Sequence, residues 1–313
     1  MFDNYEKFKK DVYALTKIDL NYYKEKQMRR RIDTIATKHG CSNYDEYIRV
    51  LKTDKDKFEA FVNFLTINVS EFYRNPDQWK LMDENVIPKL IKQHGKNLHV
   101  WSAACSTGDE PYSLVMALSK HIPLSNIHIT ATDLDKQVLQ KAQVGLYNEK
   151  SIANVPPEFK RKYFKQIGKS FQISDEIKRC VTFKEHNLLK DPYPRDFDMI
   201  LCRNVVIYFT DDAKDMIYKN FHQSLKSHGV LFIGSTEQIT NYKELGFDRL
   251  SSFYFERIVG NTLSINILSL LFGFPFPIFL ALLLGELRNG KFRKALQNVA
   301  YIPHFLSAVI VVS

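Results

Sequence analysis

The sequence lacks most of the features that would narrow its class at once. Its four cysteines, at 41, 105, 180 and 202, form no CxxC pair and no Cys/His metal spacing. No signal peptide opens the chain. Together these exclude a disulfide scaffold and a zinc site and point to a reducing, cytosolic compartment. With only 12 glycines and 11 prolines the chain is neither collagen-like nor low-complexity. It has no GxGxxG loop and no internal repeat. Negative charge is the scarcer sign, 35 Asp and Glu against 44 Lys and Arg, a net +9. That excess suits an acidic partner: nucleic acid, anionic lipid or an acidic protein surface.

What remains is an ordinary globular composition, 45% hydrophobic and 25% charged, over 313 residues, enough for two or three domains and a sizeable core. Charge stops near residue 258. Residues 258–285 hold no Asp, Glu, Lys or Arg, and Ile265 to Leu284 is a mostly apolar run long enough to span a bilayer core. It contains Pro275 and Pro277, better tolerated in membrane helices than in water. A basic loop follows, with Arg288, Lys291, Arg293 and Lys294, and residues 295–313 are again uncharged.

Residues 1–66 read as short amphipathic helices. Tyr5, Phe8, Val12 and Leu15 recur at helical spacing, as do Met28, Ile32 and Ile35, then Tyr44, Tyr47, Ile48 and Leu51, then Phe58, Phe61, Val62 and Leu65. Asn43, with Glu46 three residues on, reads as an N-cap. One apolar stripe per helix predicts a small bundle. The second helix also carries Lys24, Lys26, Arg29, Arg30, Arg31 and Lys38, either a solvated basic face or a docking surface for an acidic partner.

After a bridge over 66–98, strand and helix alternate to about 258. Strands are predicted at Leu98–Ser102, Ile127–Thr132, Val181–Phe183, Phe197–Leu201, Val230–Gly234 and Phe253–Glu256, and helices at 111–122, 135–144 and 211–226. Asp135 and Thr210 or Asp211 are suitable caps, Gly145 and Gly229 suitable stops. The alternation predicts an α/β fold with a largely parallel, doubly wound sheet. Residues 156–183 interrupt it and read as a small inserted subdomain.

Ligands of such sheets bind at the carboxyl ends of the strands. Four segments end strands there. WSAACSTGDEPYS at 101–113 is a small-residue loop with one glycine, Gly108, which suits a nucleoside without a pyrophosphate or is simply a structural loop. Asp133 ends the second strand 25 residues after Gly108, where an acid commonly bonds ribose hydroxyls; the bland reading is a helix cap, a role Asp135 fills better. In HNLL at 186–189, Asn187 is placed to meet an adenine edge and Leu188 its face, or else forms a turn, and His186 reads as structural. In CRNVVIYF at 202–209, Arg203 and Asn204 are polar groups at a strand end, and Tyr208 either faces the same cleft or packs in the core.

These segments, with TINVSEFYRN at 66–75, ATDLD at 131–135 and GSTEQI at 234–239, resemble the CheR family of S-adenosylmethionine-dependent chemoreceptor methyltransferases in order and spacing, over residues 1 to about 258. One small departure is Asp109, where the family often has Glu. The resemblance implies an N-terminal helical domain with linker over 1–80 and a Rossmann-like methyltransferase domain over 81–258 with a small antiparallel β-subdomain. It implies cofactor contacts from Asn68, Ser70, Arg74, Glu110, Asp133, Asn187, Leu188, Arg203 and Asn204, with S-adenosylhomocysteine as product. The implied reaction moves a methyl group from the sulfonium to a receptor glutamate, giving a methyl ester. A glutamate with pKa near 4.3 is already ionised at pH 7, so the transfer needs positioning and a dry site rather than a general base or a metal. On this reading Asp133 holds the ribose, Glu110 the methionine ammonium and Arg74 its carboxylate, while Tyr208 lines the transfer cleft. Receptor methylation helices are acidic, which makes Arg29, Arg30 and Arg31 the expected receptor-facing surface.

Two other classes of function fit less well. A cofactor-binding adaptor without catalysis would be expected to lose Asn68, Arg74 or Asp133, and all three are present. A nucleic-acid methyltransferase would want stacking aromatics and an NPPY-like motif, and none appears at the fourth strand. Residues 261–313, with FPFPI, ELRNGKFRKALQ and YIPHF, resemble instead an internal piece of a binding-protein-dependent sugar ABC-transporter permease. The stretch 259–313 thus reads as a hydrophobic, membrane-like tail: a fusion that makes the chain a chimera, a membrane anchor, or an appendage on the enzyme.

Overall fold

The computed structural model describes residues 2–66 and 70–258. The expected permease-like tail at 259–313 and the expected cofactor contact Asn68 lie outside the described residues. Among those described, no helix is long and apolar enough to cross a membrane.

The chain opens with four helices, α1 Tyr5–Thr16, α2 Glu25–Lys38, α3 Tyr44–Thr53 and α4 Lys55–Thr66. Asn43 caps α3 as its spacing predicts: its Oδ1 accepts from Glu46 N at 2.8 Å. The return bond runs from Ser42 N to Glu46 Oε2, also 2.8 Å, one residue upstream of a standard capping box. Helices α5 Pro76–Leu81 and α6 Ile87–His94 join through a π-turn at Met82–Val86.

The alternating part follows: β1 Leu98–Ala103, α7 Asp109–Leu118, β2 Ile127–Asp133, α8 Lys136–Val144, β3 Leu146–Asn148, α9 Pro157–Tyr163, β4 Phe164–Ile167, β5 Ser170–Ile173, α10 Asp175–Lys178, β6 Val181–Glu185, β7 Phe197–Cys202, α11 Asp211–Ser224, β8 Leu225–Ile233, β9 Phe247–Arg249 and β10 Tyr254–Arg257. Seven strands form one sheet in the order β6-β2-β1-β7-β8-β10-β9. The first five are parallel; β10 runs antiparallel to β8, and β9 antiparallel to β10. The order reverses at β1, whose neighbours are β2 and β7, and this is the switch point at which ligands of doubly wound sheets bind.

Each central strand splits its residues between two cores, because side chains alternate faces with period two. Trp101, Ala103, Ile200, Cys202, Leu231 and Ile233 join one cluster, with Phe8, Val12, Ile32, Tyr47 and Phe61 of the N-terminal helices and Phe221 of α11. Leu98, Val100, Met199, Leu201, Val230 and Phe232 join the other, with α7 and the α5–α6 pair. The N-terminal helices therefore share a hydrophobic core with one sheet face, and the residues through Ile258 make one compact unit.

Two boundaries differ from the sequence reading. The small antiparallel sheet, ordered β3-β5-β4, spans 146–173 rather than 156–183, and Val181 starts an edge strand of the large sheet. Its first strand has three residues directly after the α8 stop at Gly145, too short to show a period. Gly229 does not end α11, which stops at Ser224. It lies instead in an irregular stretch of β8, where the pairing jumps from Phe197–Leu225 to Met199–Val230. A Cβ on Gly229 would come within 3.1 Å of the Phe197 carbonyl oxygen, so the glycine permits the close approach.

Candidate functional site

At the end of β1 the chain turns through three residues of positive φ, Ala104 (58°), Ser106 (48°) and Gly108 (87°). The left-handed region is costly for the first two, and hydrogen bonds hold them there. Cys105 N donates to Thr132 O at 2.9 Å, Ser106 N to Asp133 Oδ2 at 2.8 Å and Gly108 N to Cys105 O at 3.1 Å. Gly108 is also sterically required, since a Cβ there would lie 2.9 Å from Ala142 Cβ. The small-residue loop is thus a rigid turn tied to the end of β2.

Two buried carboxyls, Asp109 and Asp133, and the partly buried Glu110 surround this turn. Asp133 accepts from Ser106 N and, through Oδ1, from Asp135 N at 3.0 Å. Burial nonetheless pushes its pKa up from 3.8 to about 6. Glu110 accepts from Ser102 Oγ at 2.8 Å and meets Arg203 Nη1 at 3.5 Å; burial raises it as well. Asp109 accepts from Thr107 Oγ1 at 2.6 Å and from the Ser70 hydroxyl, and is again raised by burial. Glu110 and Asp133 line the cleft together with Arg74 and Arg203, so it offers charge of both signs to a ligand.

The loops after β6 and β7 close the other side. Asn187 forms a tight turn: its Oδ1 accepts from Leu189 N at 2.9 Å and its backbone N donates to Asp191 Oδ2 at 2.8 Å. The turn presents Leu188, which is buried. The His186 ring packs edge-on against Trp101 and Tyr193, and burial lowers its pKa, as suits a structural role. Arg203 is a buried strut. Its Nη2 donates to Arg74 O at 2.8 Å and Gln78 Oε1 at 2.7 Å, and its guanidinium lies 4.5 Å from the Phe232 ring centre.

Glu237 was not singled out by the sequence reading, yet it shapes this loop. Oε2 accepts from Gly234 N and Asn204 N at 2.6 and 3.0 Å, and Oε1 from Val205 N and Val206 N at 2.9 and 3.1 Å. The clamp holds Asn204 at φ 61°. A Cβ on Gly234 would come within 2.7 Å of Asn204 N and 2.8 Å of Glu237 Oε2, so that position takes glycine. Glu237 stands inside the GSTEQI segment, but nothing in the spacing shows that it reaches 33 residues back.

Ser70, Arg74, Glu110, Asp133, Asn187, Leu188, Arg203, Asn204 and Tyr208 all line one cleft, which holds about 1030 Å³ of empty space, part of it open to solvent. The sequence reading missed Tyr23 and Ser106 on its wall. Arg29, Arg30 and Arg31 do not line it. Nor are they one exposed face. Arg29 donates to Phe2 O and lies over the Tyr5 ring, Arg31 donates to Phe64 O at 2.8 Å and lies over the Phe64 ring, and both are half-buried. Only Arg30 of the three is exposed. The expected basic docking surface is thus reduced there to one arginine, because its neighbours staple α2 to the rest of the bundle.

Ser106 Oγ, Asn204 Oδ1 and His186 Nε2, on three residues of the cleft wall, are buried with no hydrogen-bond partner. That unspent capacity, the charges of both signs and the apolar Leu188 fit a polar nucleoside that carries both an ammonium and a carboxylate, such as S-adenosylmethionine.

Fold and cleft together define a Rossmann-like, S-adenosylmethionine-dependent methyltransferase with an N-terminal all-α domain, and the family comparisons agree. The S-adenosylmethionine-binding domain of the CheR methyltransferases matches residues 68–252, and the all-alpha domain of the same methyltransferases matches residues 3–66. A chemotaxis protein methyltransferase of Listeria innocua is 39% identical over 238 residues, 76% of this chain and 91% of the relative. That of Listeria monocytogenes is 38% identical over the same shares. That of Borreliella burgdorferi is 30% identical over 78% of this chain and 91% of its own. The chain belongs to the CheR family of chemotaxis methyltransferases.

Proposed function

We propose that the chain transfers the methyl group of S-adenosylmethionine to glutamate side chains of chemoreceptors, giving 5-O-methyl esters. The observation that carries this reading is the convergence of nine sequence-predicted residues on a single cleft at the switch point of the sheet. When bound, S-adenosylmethionine supplies a methyl group activated by the sulfonium charge. The chain's own residues bind and orient. Asp133, fixed by two backbone N–H groups, presents its carboxylate to the ribose hydroxyls. Glu110 answers the methionine ammonium, with Ser102 holding it in place. Arg74 answers the carboxylate. Leu188 and the Arg203–Asn204 turn frame the adenosine, and Arg203 does so indirectly, by tying Arg74 and Gln78 to the end of β7. Tyr208, half-buried on the cleft wall, lines the path of the acceptor. The acceptor carboxylate is ionised at pH 7 and is itself the nucleophile, so the site has to align it and exclude water.

The test incubates the protein with methyl-labelled S-adenosylmethionine and receptor-containing membranes, then treats the product with base. Volatile labelled methanol is expected. Label that survives base is N- or C-methylation and overturns the reading.

A further inference from the structure

Tyr208 also lines a second groove, with about 810 Å³ of empty space partly open to solvent, together with Lys24, Gln27, Lys214, Thr236, Gln238 and Glu237, whose two oxygens are taken up by four backbone N–H groups. Its walls come from the start of α2, the turn after β7, the first turn of α11 and the segment after β8. The two segments that meet there, 22–24 and 208–210, are pinned. Tyr23 and Phe209 form an antiparallel bridge, Lys24 N donates to Tyr208 O at 2.9 Å and Thr210 N to Tyr22 O at 2.8 Å. The Tyr23 and Phe209 rings meet edge-on at 4.9 Å. This pinning brings Lys24, from the helical segment, beside Lys214, from α11. Burial and the Lys214 charge both push the Lys24 ammonium pKa down. Like charges held together raise the energy of the pair unless an anion lies between them. Among the described residues the one carboxylate paired with either lysine is Asp211, 2.7 Å from Lys214 Nζ, and its side chain is 91% exposed. It lies out in water and screens the pair weakly.

We propose that this groove receives an acidic side chain of the acceptor protein, next to the glutamate that is methylated. The proposal rests on the methyl-ester reading above and names how its substrate is held. Two ammonium groups and two amides, walled off from the cofactor cleft by Tyr208, match a carboxylate carried on a protein segment. On a helix, side chains three or four residues apart lie about 5–6 Å from each other. An acid one turn from the acceptor thus enters the groove as the acceptor reaches past Tyr208.

The test titrates the full chain against a fluorescently labelled, glutamate-rich cytoplasmic receptor fragment, and separately against S-adenosylhomocysteine by calorimetry. Lys24→Glu and Lys214→Glu are each expected to weaken fragment binding about fivefold or more, and to leave the S-adenosylhomocysteine Kd unchanged. Lys24→Gln and Lys214→Gln, gentler on the fold, shift the fragment Kd in the same direction by less. An unchanged fragment Kd in all four variants overturns the proposal. So does a parallel loss of S-adenosylhomocysteine binding, which would make the lysines structural. Duplex DNA binding that is lost in the variants while fragment binding survives would assign the groove to nucleic acid, and also overturns it. The fragment Kd needs no turnover, so a wild-type chain that forms no methyl ester refutes the reaction without deciding the groove.

Discussion

Glu237 and Asn204 stand 33 residues apart, yet one carboxylate organises the backbone of the other's turn. Each oxygen takes two N–H donors, so Glu237→Gln turns one acceptor into a donor facing two others. Leaving buried N–H groups unsatisfied costs about 1–3 kcal/mol each, and the turn carrying Asn204 should relax. The variant is expected to bind S-adenosylhomocysteine about tenfold more weakly while staying folded, read by calorimetry and melting together. Asp133 makes a pH-dependent prediction. Its pKa rises from 3.8 to about 6 on folding, so the folded state holds more protons than the unfolded state between those values. The stability this contributes is complete below the lower value and is lost as pH rises through about 6. Ribose hydroxyls donate best to the ionised form, so cofactor affinity should run the other way and increase from pH 5 to pH 7. Calorimetry across that range is expected to show the increase in wild type and a weaker affinity with a smaller pH dependence in Asp133→Asn. A wild-type affinity independent of pH would remove the ribose role.

At the scale of elements, α2 separates two uses of arginine that the sequence shows side by side. Arg29 and Arg31 donate to the carbonyls of Phe2 and Phe64 from half-buried positions, while Arg30 is exposed. Hydrogen bonds from charged groups contribute about 1.5–3 kcal/mol. Arg29→Ala and Arg31→Ala should therefore lower the melting temperature by several degrees, and Arg30→Glu should leave it unchanged. Equal melting of all three variants would mean that the two carbonyl contacts carry no stability. Helical spacing gave the apolar stripe of α2 correctly, with Met28, Ile32 and Ile35 all buried. It could not tell which flanking cations bend back onto the bundle, because that depends on where Phe2 and Phe64 lie in space. The caps at Asn43, Asp135 and Thr210 were legible, being local side-chain-to-backbone bonds. The close approach at Gly229 was not, because its reason is the Phe197 carbonyl of the neighbouring strand.

At the scale of the whole molecule, the site is an edge effect of the sheet. The turns after β1, β2, β6 and β7 face one another because those strands are parallel and adjacent, so their motifs converge without being close in sequence. Position at a strand end was therefore enough to single out Asp133, Asn187, Leu188, Arg203, Asn204 and Tyr208, whereas Ser70, Arg74 and Glu110 came only with the resemblance to the CheR family. The supports that hold them were hidden, since the bonds from Arg203 to Gln78 and from Asn204 to Glu237 exist only after folding. Among the described residues, those that line the cleft fall between Tyr23 and Phe209. Among the described residues, the last members of the two hydrophobic clusters are Tyr254 and Phe255. The binding unit thus has its own core and its own ligand site within the compact unit that ends at Ile258. A chain ending at Ile258 should bind S-adenosylhomocysteine with the same Kd as the 313-residue chain and esterify receptors at the same kcat. Calorimetry and the base-labile methyl assay on both chains check this. A weaker Kd in the shorter chain would place part of the binding energy in residues 259–313. An equal Kd with a higher KM for membrane-borne receptor, but not for a soluble receptor fragment, would give those residues a role at the membrane surface and none in the chemistry.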